Sequence, residues 1–435
     1  MLAATVYGSG VESPPLTAAR ALRAAGHAVS LLLSAQTGPF GRRSLLAIDP
    51  DHAIVSPPGA GAGLPAIPPR LVHAAHGRGV WIGAVSYDAG LGLHGIASRH
   101  ESPDPALVAG YHAAYAAYDH APGAWSVLGD GPTAVALAAA TAGELEAPGV
   151  AGELPEPRTA RSPVTRAEHV AACREVQRLI ALGEAFEVNL AHVIETSWDA
   201  GGWALLERLL DAGPGDHAAY LALGGVELAS VSPELFLRIE DGVAETRPIK
   251  GTRPRGDTEA EDEALARDLA SSDKDRAENV MIVDLLRNDL TATAEPGSVR
   301  VGAVCAVERT ASVMHLVSSV TSRVRDGIRL PDVLVSCFPG GSITGAPKRR
   351  AMELIDRLER GPRGFYCGSV FGWEPAERRL VASIAIRTAT VVGGRARYGC
   401  GGAVTLLSDA DDEAEETLVK ARPFMAATNA RLEGW

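Results

Sequence analysis

The stretch PIKGTRPRG, residues 248–256, holds Lys250, one of four lysines in a chain of 435 residues. The other three are Lys274, Lys348 and Lys420, so all four fall in the C-terminal half and the remaining positive charge is arginine. A guanidinium stays protonated, whereas an ammonium on a flexible stem can lose its proton when buried and act as nucleophile or base. A composition rich in Ala, Gly and Arg also leaves few lysines by itself. Between a chance survivor and a chemical residue, the neighbouring sequence has to decide.

Around Lys250, from about residue 156 to the end, strand-like runs alternate with amphipathic helical stretches. The runs are FEVNLAHVIE (186–195), VELASVSPELFLRIE (226–240), VAETRPIKG (243–251), SIAIRTATVV (383–392) and RARYGCGGAVTLL (395–407). The helical stretches are 165–183, 273–289, 347–360 and 412–432, with apolar residues at three- and four-residue spacing. Residues 1 to about 155 hold shorter β-like runs (HAVSLLL, RSLLAID, GVWIGAVSYD, AWSVLG) broken by Gly/Pro segments such as PPGAGAGLPAIPP (57–69), which predicts a β-rich N-terminal region with antiparallel pairing. The segment 143–163 lacks hydrophobic periodicity and reads as a connection, so the boundary falls near 155. No fixed-period repeat is visible, which excludes solenoids and propellers.

A hydrophobic content of 46% supplies a sizeable core, and a net charge of −12 argues against a nucleic-acid surface. An anionic substrate must therefore be met by local positive groups. Cys173, Cys305, Cys337, Cys367 and Cys400 are scattered without a CxxC pair, so neither a disulfide framework nor a zinc site is expected. With no signal-peptide pattern at the start and no apolar run of about 18 residues, the expectation is a cytoplasmic protein without a membrane span.

Carboxylates recur at three-residue spacing in two helical stretches: Asp275 with Glu278, and Glu413 with Glu416. Each pair shares a helix face. Two such faces brought together need a cation between them, and hard oxygen donors without nearby His or Cys favour Mg²⁺; solvated surface faces carry the same spacing. Lys420 follows Glu416 by four residues, the orientation of an ordinary helical ion pair. In FPGGSITGAPKRRAMELIDRL (338–358), glycines and hydroxyls precede a helix start, where an anion can bind or where Ser342 and Thr344 simply cap the helix. Gly399, Gly401 and Gly402 follow a strand-like run and suit either exposed amides or a tight turn. His315 sits among apolar residues as a core or catalytic histidine. Arg387 interrupts an apolar strand, and a buried guanidinium there needs a carboxylate from protein or ligand.

Eight segments in chain order, FEVNL (186–190), SPELFL (232–237), PIKGTRPRG (248–256), ENVMIVDLLRNDL (278–290), VMHLVSSV (313–320), GGSITGAPK (340–348), GFYCGSV (364–370) and EETLVKAR (415–422), resemble the chorismate-utilising enzymes. Anthranilate synthase component I, aminodeoxychorismate synthase component I, isochorismate synthase and salicylate synthase share this catalytic domain. The resemblance covers about 165–425 strongly, and RSLLAIDP (43–50) and GVWIGAVSYDAG (79–90) resemble the family's first sheet segments. It implies an α+β fold of the anthranilate-synthase type, with two large antiparallel sheets packed face to face and helices outside. The N-terminal region 1–155 would precede a chorismate-binding catalytic domain, 156–435.

Residue by residue, the resemblance implies that Glu278 and Glu416 hold Mg²⁺ against the substrate's ring carboxylate, with Asp275 and Glu413 as the second acidic pair. Arg387 and Tyr366 would hold the enolpyruvyl carboxylate; Lys420 and the Gly401 and Gly402 amides would assist the ring carboxylate, with Ser342 close by. His315 would lie near the leaving group, and Glu234 would protonate the departing C4 hydroxyl, a step that needs an acid because hydroxide leaves poorly. Lys250 resembles the aminodeoxychorismate synthase branch, where the amine adds to C2 as the C4 hydroxyl leaves and is displaced when ammonia adds at C4.

The chain departs from the family pattern at Glu187, where aminating members commonly carry Gln and water-adding members Lys, and at Ala403 and Leu407 in GGAVTLLSD (401–409). Glu187 offers a second base near C2. The motif for feedback by tryptophan is missing near RSLLAIDP. No glutaminase segment is present, so the resemblance implies a separate glutamine amidotransferase subunit, and a product that feeds p-aminobenzoate, for folate or secondary metabolism. The alternatives are an anthranilate synthase or 2-amino-2-deoxyisochorismate synthase component I, which aminate C2, and a non-catalytic chorismate-binding regulatory subunit.

Overall fold

A computed structural model describes residues 13–34, 43–57, 78–149, 156–213, 215–309 and 313–435. Two large antiparallel sheets dominate it. In spatial order the ten-stranded sheet is Gly345–Ala346, Glu187–Ser197, Arg395–Val404, Thr388–Val392, Val226–Ser232, His217–Leu223, Val29–Ser34, Arg43–Ile48, Tyr115–Asp119 and Ala124–Leu128. The nine-stranded sheet is Arg300–Val301, Val320–Arg323, Val243–Thr246, Leu235–Glu240, Arg379–Ile384, Ser369–Glu374, Val80–Val85, Leu107–His112 and His52–Val55. Strands from both sides of residue 155 are interleaved in each sheet. Residue 155 and most of PPGAGAGLPAIPP lie outside the described residues.

Period-two patterning explains the layer between the sheets. Leu45, Ala47, Ala219, Leu221 and Leu228 from the first sheet meet Val80, Ile82, Ala84, Val108 and Val370 from the second, all buried. The outer faces are covered by helices. Leu205, Leu206 and Leu209 of the helix Gly201–Ala212 and Phe424 of Ala410–Thr428 fill the outer core of the ten-stranded sheet. Ile282, Val283, Leu286 and Leu290 of Asp273–Thr291 and Met352, Leu354 and Ile355 of Lys348–Leu358 pack into the core on the other side. The helix Arg166–Ala181 starts at a complete capping box between Thr165 and Glu168.

Beside its strands the N-terminal region carries the helices Pro14–Ala24, Tyr87–Leu93 and Gly131–Thr141. Ser13 caps the first, with Pro14 at its first position. All five cysteines are buried and unbonded. Among the described residues no helix is long and apolar enough to cross a membrane.

Three runs expected as single strands each divide between sheets, and the divisions place the chemistry. VELASVSPELFLRIE leaves the ten-stranded sheet at Ser232 and enters the nine-stranded sheet at Leu235, with Glu234 at the crossing. SIAIRTATVV crosses back between Ile384 and Thr388, with Arg387 at φ 49°. VAETRPIKG passes from the nine-stranded sheet at Thr246 into a three-stranded sheet that begins at Ile249, one residue before Lys250.

Candidate active site

Lys250 lies on the strand Ile249–Pro254, which pairs with Val313–Val317 and slips register between Lys250 and Thr252. Gly251 makes that bulge possible: its φ is +71°, and a Cβ there would lie 2.8 Å from Asp275 Cγ. The bulge turns Lys250 inward. Its Nζ donates to Glu187 Oε1 at 2.8 Å, with the lysine side chain 10% exposed and the glutamate fully buried. Glu187 Oε2 is buried and has no hydrogen-bond partner. Burial pulls the Lys250 ammonium down, but Glu187, Glu278 and Glu234 together outweigh it and hold the pKa above its ordinary value.

Glu234 is buried at its crossing point and hydrogen-bonded by Ser342. Burial raises its carboxyl to about 7, against the pull of Ser342, Lys250 and Lys420. A carboxyl at that value is half acid at neutral pH and suits proton donation. Ser342 lies in the short 3-10 turn Gly341–Ile343, so it does not cap the helix that starts at Lys348; Thr344 Oγ1 instead donates to Gly340 O at 2.9 Å. Lys348 is committed elsewhere, to Asp289 at 2.6 Å and Cys337 O at 2.8 Å, which leaves the turn without a free lysine for an anion.

His315 stands opposite Thr252 in the ladder, its Nδ1 3.0 Å from Thr252 Oγ1. Burial, then the charge of Arg387, lowers it to about 4, so the ring is neutral at pH 7. Arg387 is half-buried, and among the described residues its guanidinium has no ion pair. The sequence reading asked for a carboxylate from protein or ligand if this guanidinium were buried, and among the described residues no carboxylate pairs with it. Tyr366 packs where a Cβ on Gly399 would stand 2.0 Å from its ring. Burial holds its phenol far above the ordinary value, as a neutral donor.

Of the two readings of the glycine cluster, the tight turn does not occur; the strand-like run 395–407 holds through the glycines. Gly399, Gly401 and Gly402 are interior positions of the strand Arg395–Val404, paired with Val193, Ala191 and Leu190. Their small size makes room: a Cβ at Gly402 would lie 3.0 Å from Glu413 Oε2, 3.8 Å from Lys420 Nζ and 3.9 Å from Glu416 Oε1. Lys420 Nζ donates to Gly401 O at 2.9 Å and pairs with Glu416 at 2.7 Å.

Helix Asp273–Thr291 brings Glu278 and helix Ala410–Thr428 brings Glu413 and Glu416 to the same region, and Lys274, to which the sequence pattern gave no role, links them. Its Nζ is 3.5 Å from Glu413 and 4.0 Å from Glu278. The i to i+4 spacing of Lys274 and Glu278 was the available signal. Asp275 acts on Glu278 and lies 3.5 Å from Arg253. Burial raises Glu278 to about 7 and also raises Glu413, whereas Lys420 and Lys274 hold Glu416 below its ordinary value despite burial. Glu278 Oε1 is buried without a hydrogen-bond partner. This all-oxygen, electron-rich donor set fits a hard divalent cation, although among the described residues no three such side chains close into a metal cage.

The family described as chorismate binding enzyme matches residues 58–426. The chain belongs to the chorismate binding enzyme family. It is 42% identical over 368 residues to an aminodeoxychorismate synthase of Streptomyces griseus, covering 81% of this chain and 50% of that one. It is 43% identical over 265 residues to aminodeoxychorismate synthase component 1 of Salmonella typhimurium, covering 61% and 58%. The chain therefore spans only about half the length of these curated relatives. Among solved structures it resembles anthranilate synthase component I from Streptococcus pneumoniae, with TM-score 0.75, 26% identity, and 90% and 93% of the two chains covered. The expected anthranilate-synthase-type fold is borne out.

Proposed function

We propose that this chain is the chorismate-converting component of an aminodeoxychorismate synthase, forming 4-amino-4-deoxychorismate through an adduct at Lys250. One observation carries the reading: a buried lysine and a buried carboxyl raised to about 7 share a site whose guanidinium has no ion pair among the described residues. A lysine nucleophile fits the first feature, an acid for a poor leaving group the second, and a carboxylate-bearing substrate the third. The names of the relatives from Streptomyces griseus and Salmonella typhimurium support the same branch.

In this reading Lys250 attacks C2 while Glu234 protonates the C4 hydroxyl, which leaves as water. Ammonia then adds at C4 and Lys250 departs. Arg387 and Tyr366 grip the enolpyruvyl carboxylate, with His315 neutral beside the leaving group. Glu278 and Glu416, backed by Glu413 and Asp275, would hold Mg²⁺, which when bound offsets the charge of the ring carboxylate. Lys420 and the Gly401–Gly402 segment frame that end. The ammonia would come from a glutamine amidotransferase partner, a reading supported by the name component 1 of the Salmonella typhimurium relative, and the protein would work in the cytoplasm.

The test is incubation of the full chain with chorismate, Mg²⁺ and ammonium chloride, with products resolved by mass and NMR, for wild type and Lys250→Ala. A C4 amine from wild type that the variant loses, or exchanges for a C2 product, supports the reading. A C2-aminated or C2-hydroxylated product from wild type, unchanged in the variant, moves the chain to another branch.

A further inference from the structure

We infer that Glu187 is the base that takes the proton from Lys250 before it attacks and returns it when the lysine leaves, an inference that rests on Lys250 being the nucleophile. Three features of the geometry carry it. First, Nζ and Oε1 are already in hydrogen-bond contact at 2.8 Å, so the transfer needs no rearrangement. Second, Oε2 is buried with no partner, so the carboxylate keeps an uncommitted acceptor oxygen beside the lysine. Third, the residue is fixed. Glu187 pairs with Ala346, Phe186 N donates to Ala346 O at 2.8 Å, and Gly345 approaches so closely that a Cβ would lie 2.1 Å from Glu187 O.

The other groups facing Lys250 are less suited. Glu234, from the crossing between the sheets, is engaged with Ser342 and must supply a proton to C4. Glu278, on helix Asp273–Thr291, and Glu416, on helix Ala410–Thr428, share the lysine's field but make no hydrogen bond to it. Both are also committed to the cation side. His315, on the neighbouring strand, is bonded to Thr252. The lysine is nearly dry, so bulk water is a poor acceptor.

The step balances. Lys250 NH₃⁺ gives one proton to the Glu187 carboxylate. The free amine bonds C2, the two ring double bonds shift, and the C4–O bond breaks as Glu234 donates its proton, releasing water. Ammonia then bonds C4, the double bonds shift back, and the C2–N bond breaks to release neutral lysine. The new C4 ammonium returns a proton to Glu234, and Glu187 returns its proton to Lys250. Nothing is oxidised or reduced.

The experiment measures the rate of adduct formation by rapid quench and intact mass, at saturating chorismate and Mg²⁺, from pH 6 to 9. With internal transfer, the wild-type rate depends only on the acid form of Glu234. It is expected to be flat from pH 6 to 7 and to fall roughly tenfold per unit above. If solvent deprotonates the lysine instead, the rate rises up to about pH 7 and then levels off; that profile would overturn the inference. Glu187→Gln is expected to lower the rate at pH 7 by about 10²-fold, to convert the profile to the rising form, and to change the chorismate Kd by less than about threefold. Equal rates and profiles for wild type and Glu187→Gln would also overturn it. If Glu187→Gln does not fold, the wild-type profile decides alone. Failure of the underlying reading looks different: no adduct forms in wild type and Lys250→Ala leaves the product unchanged.

Discussion

Two lysines of the site, Lys250 and Lys274, meet their glutamates in opposite ways. Lys250 meets Glu187 strand to strand, at 2.8 Å, with both side chains almost excluded from water. Lys274 meets Glu413 helix to helix at 3.5 Å and Glu278 along its own helix at 4.0 Å, with the lysine 44% exposed. The first is a closed pair whose desolvation only a close partner offsets. The second is one cation shared among several carboxylates, screened by solvent and easily displaced. The contrast matches the two demands of the proposed chemistry. A nucleophile must hold one position, whereas a cation site must open and refill.

Removing each lysine in turn gives the largest effect by which the comparison can fail. In Lys250→Met the Glu187 carboxylate is left buried with neither oxygen paired, and the expected loss is about 3–5 kcal/mol of unfolding free energy. Lys274→Met should cost less than about 1 kcal/mol. Urea unfolding at pH 7.5, with m-values compared to exclude a change in the unfolded state, measures both. Replacing both members of the closed pair, as Lys250→Met with Glu187→Leu, is expected to recover most of the loss. A Lys250→Met cost no larger than that of Lys274→Met would mean that the two contacts are not different in kind.

A middle-sized effect tests the acid beside the closed pair. Glu234 has an ordinary value near 4.5 and is held at about 7 by burial. The folded protein therefore binds more protons than the unfolded chain between those values, and stability declines as pH rises through that window. Glu234→Gln removes a carboxylate that is ionised at cost above pH 7. The variant should be more stable than wild type by roughly 1–3 kcal/mol at pH 8, with the gain fading as pH falls toward 5. A gain that is absent at pH 8, or that grows on acidification, would show that the crossing between the sheets does not desolvate this residue.

Four helices, Arg166–Ala181, Asp273–Thr291, Lys348–Leu358 and Ala410–Thr428, were legible because periodicity and caps are local, and the eight site-bearing segments were legible through their family resemblance. The helix Arg166–Ala181 declares itself through Thr165, Glu168 and its apolar stripe. The crossings between sheets were harder to read, since extended backbone on both sides of a crossing looks like one strand. Pro233 and Pro248 stand at two of them and were usable signals. Arg387 marks the third with a φ of 49°, a conformation that a glycine would advertise and an arginine conceals. The glycines at 399, 401 and 402 left a turn and a strand with open amides equally readable. They are absent side chains in a strand, kept small by Tyr366 and the acidic helix, which is a tertiary fact. The same holds for Glu187 and Lys250: each was named from the sequence, but a contact across 63 positions follows only from the fold.

The smallest effect concerns how open the second contact is. If Lys274 stands among the carboxylates that would receive Mg²⁺, its ammonium and the metal compete for the same negative field. Removing it leaves Glu278, Glu413 and Glu416 without that cation and should tighten Mg²⁺ binding. Because the lysine is 44% exposed, screening keeps the gain to about twofold to fivefold. Calorimetric titration of Mg²⁺ into Lys274→Met without chorismate measures it, and 1 M salt should remove most of the difference. Weaker binding in the variant would reverse the sign and make Lys274 a support that orients Glu413 and Glu278. In that case both lysine–glutamate contacts would be structural clamps, and the distinction between a fixed and a displaceable partner would be lost.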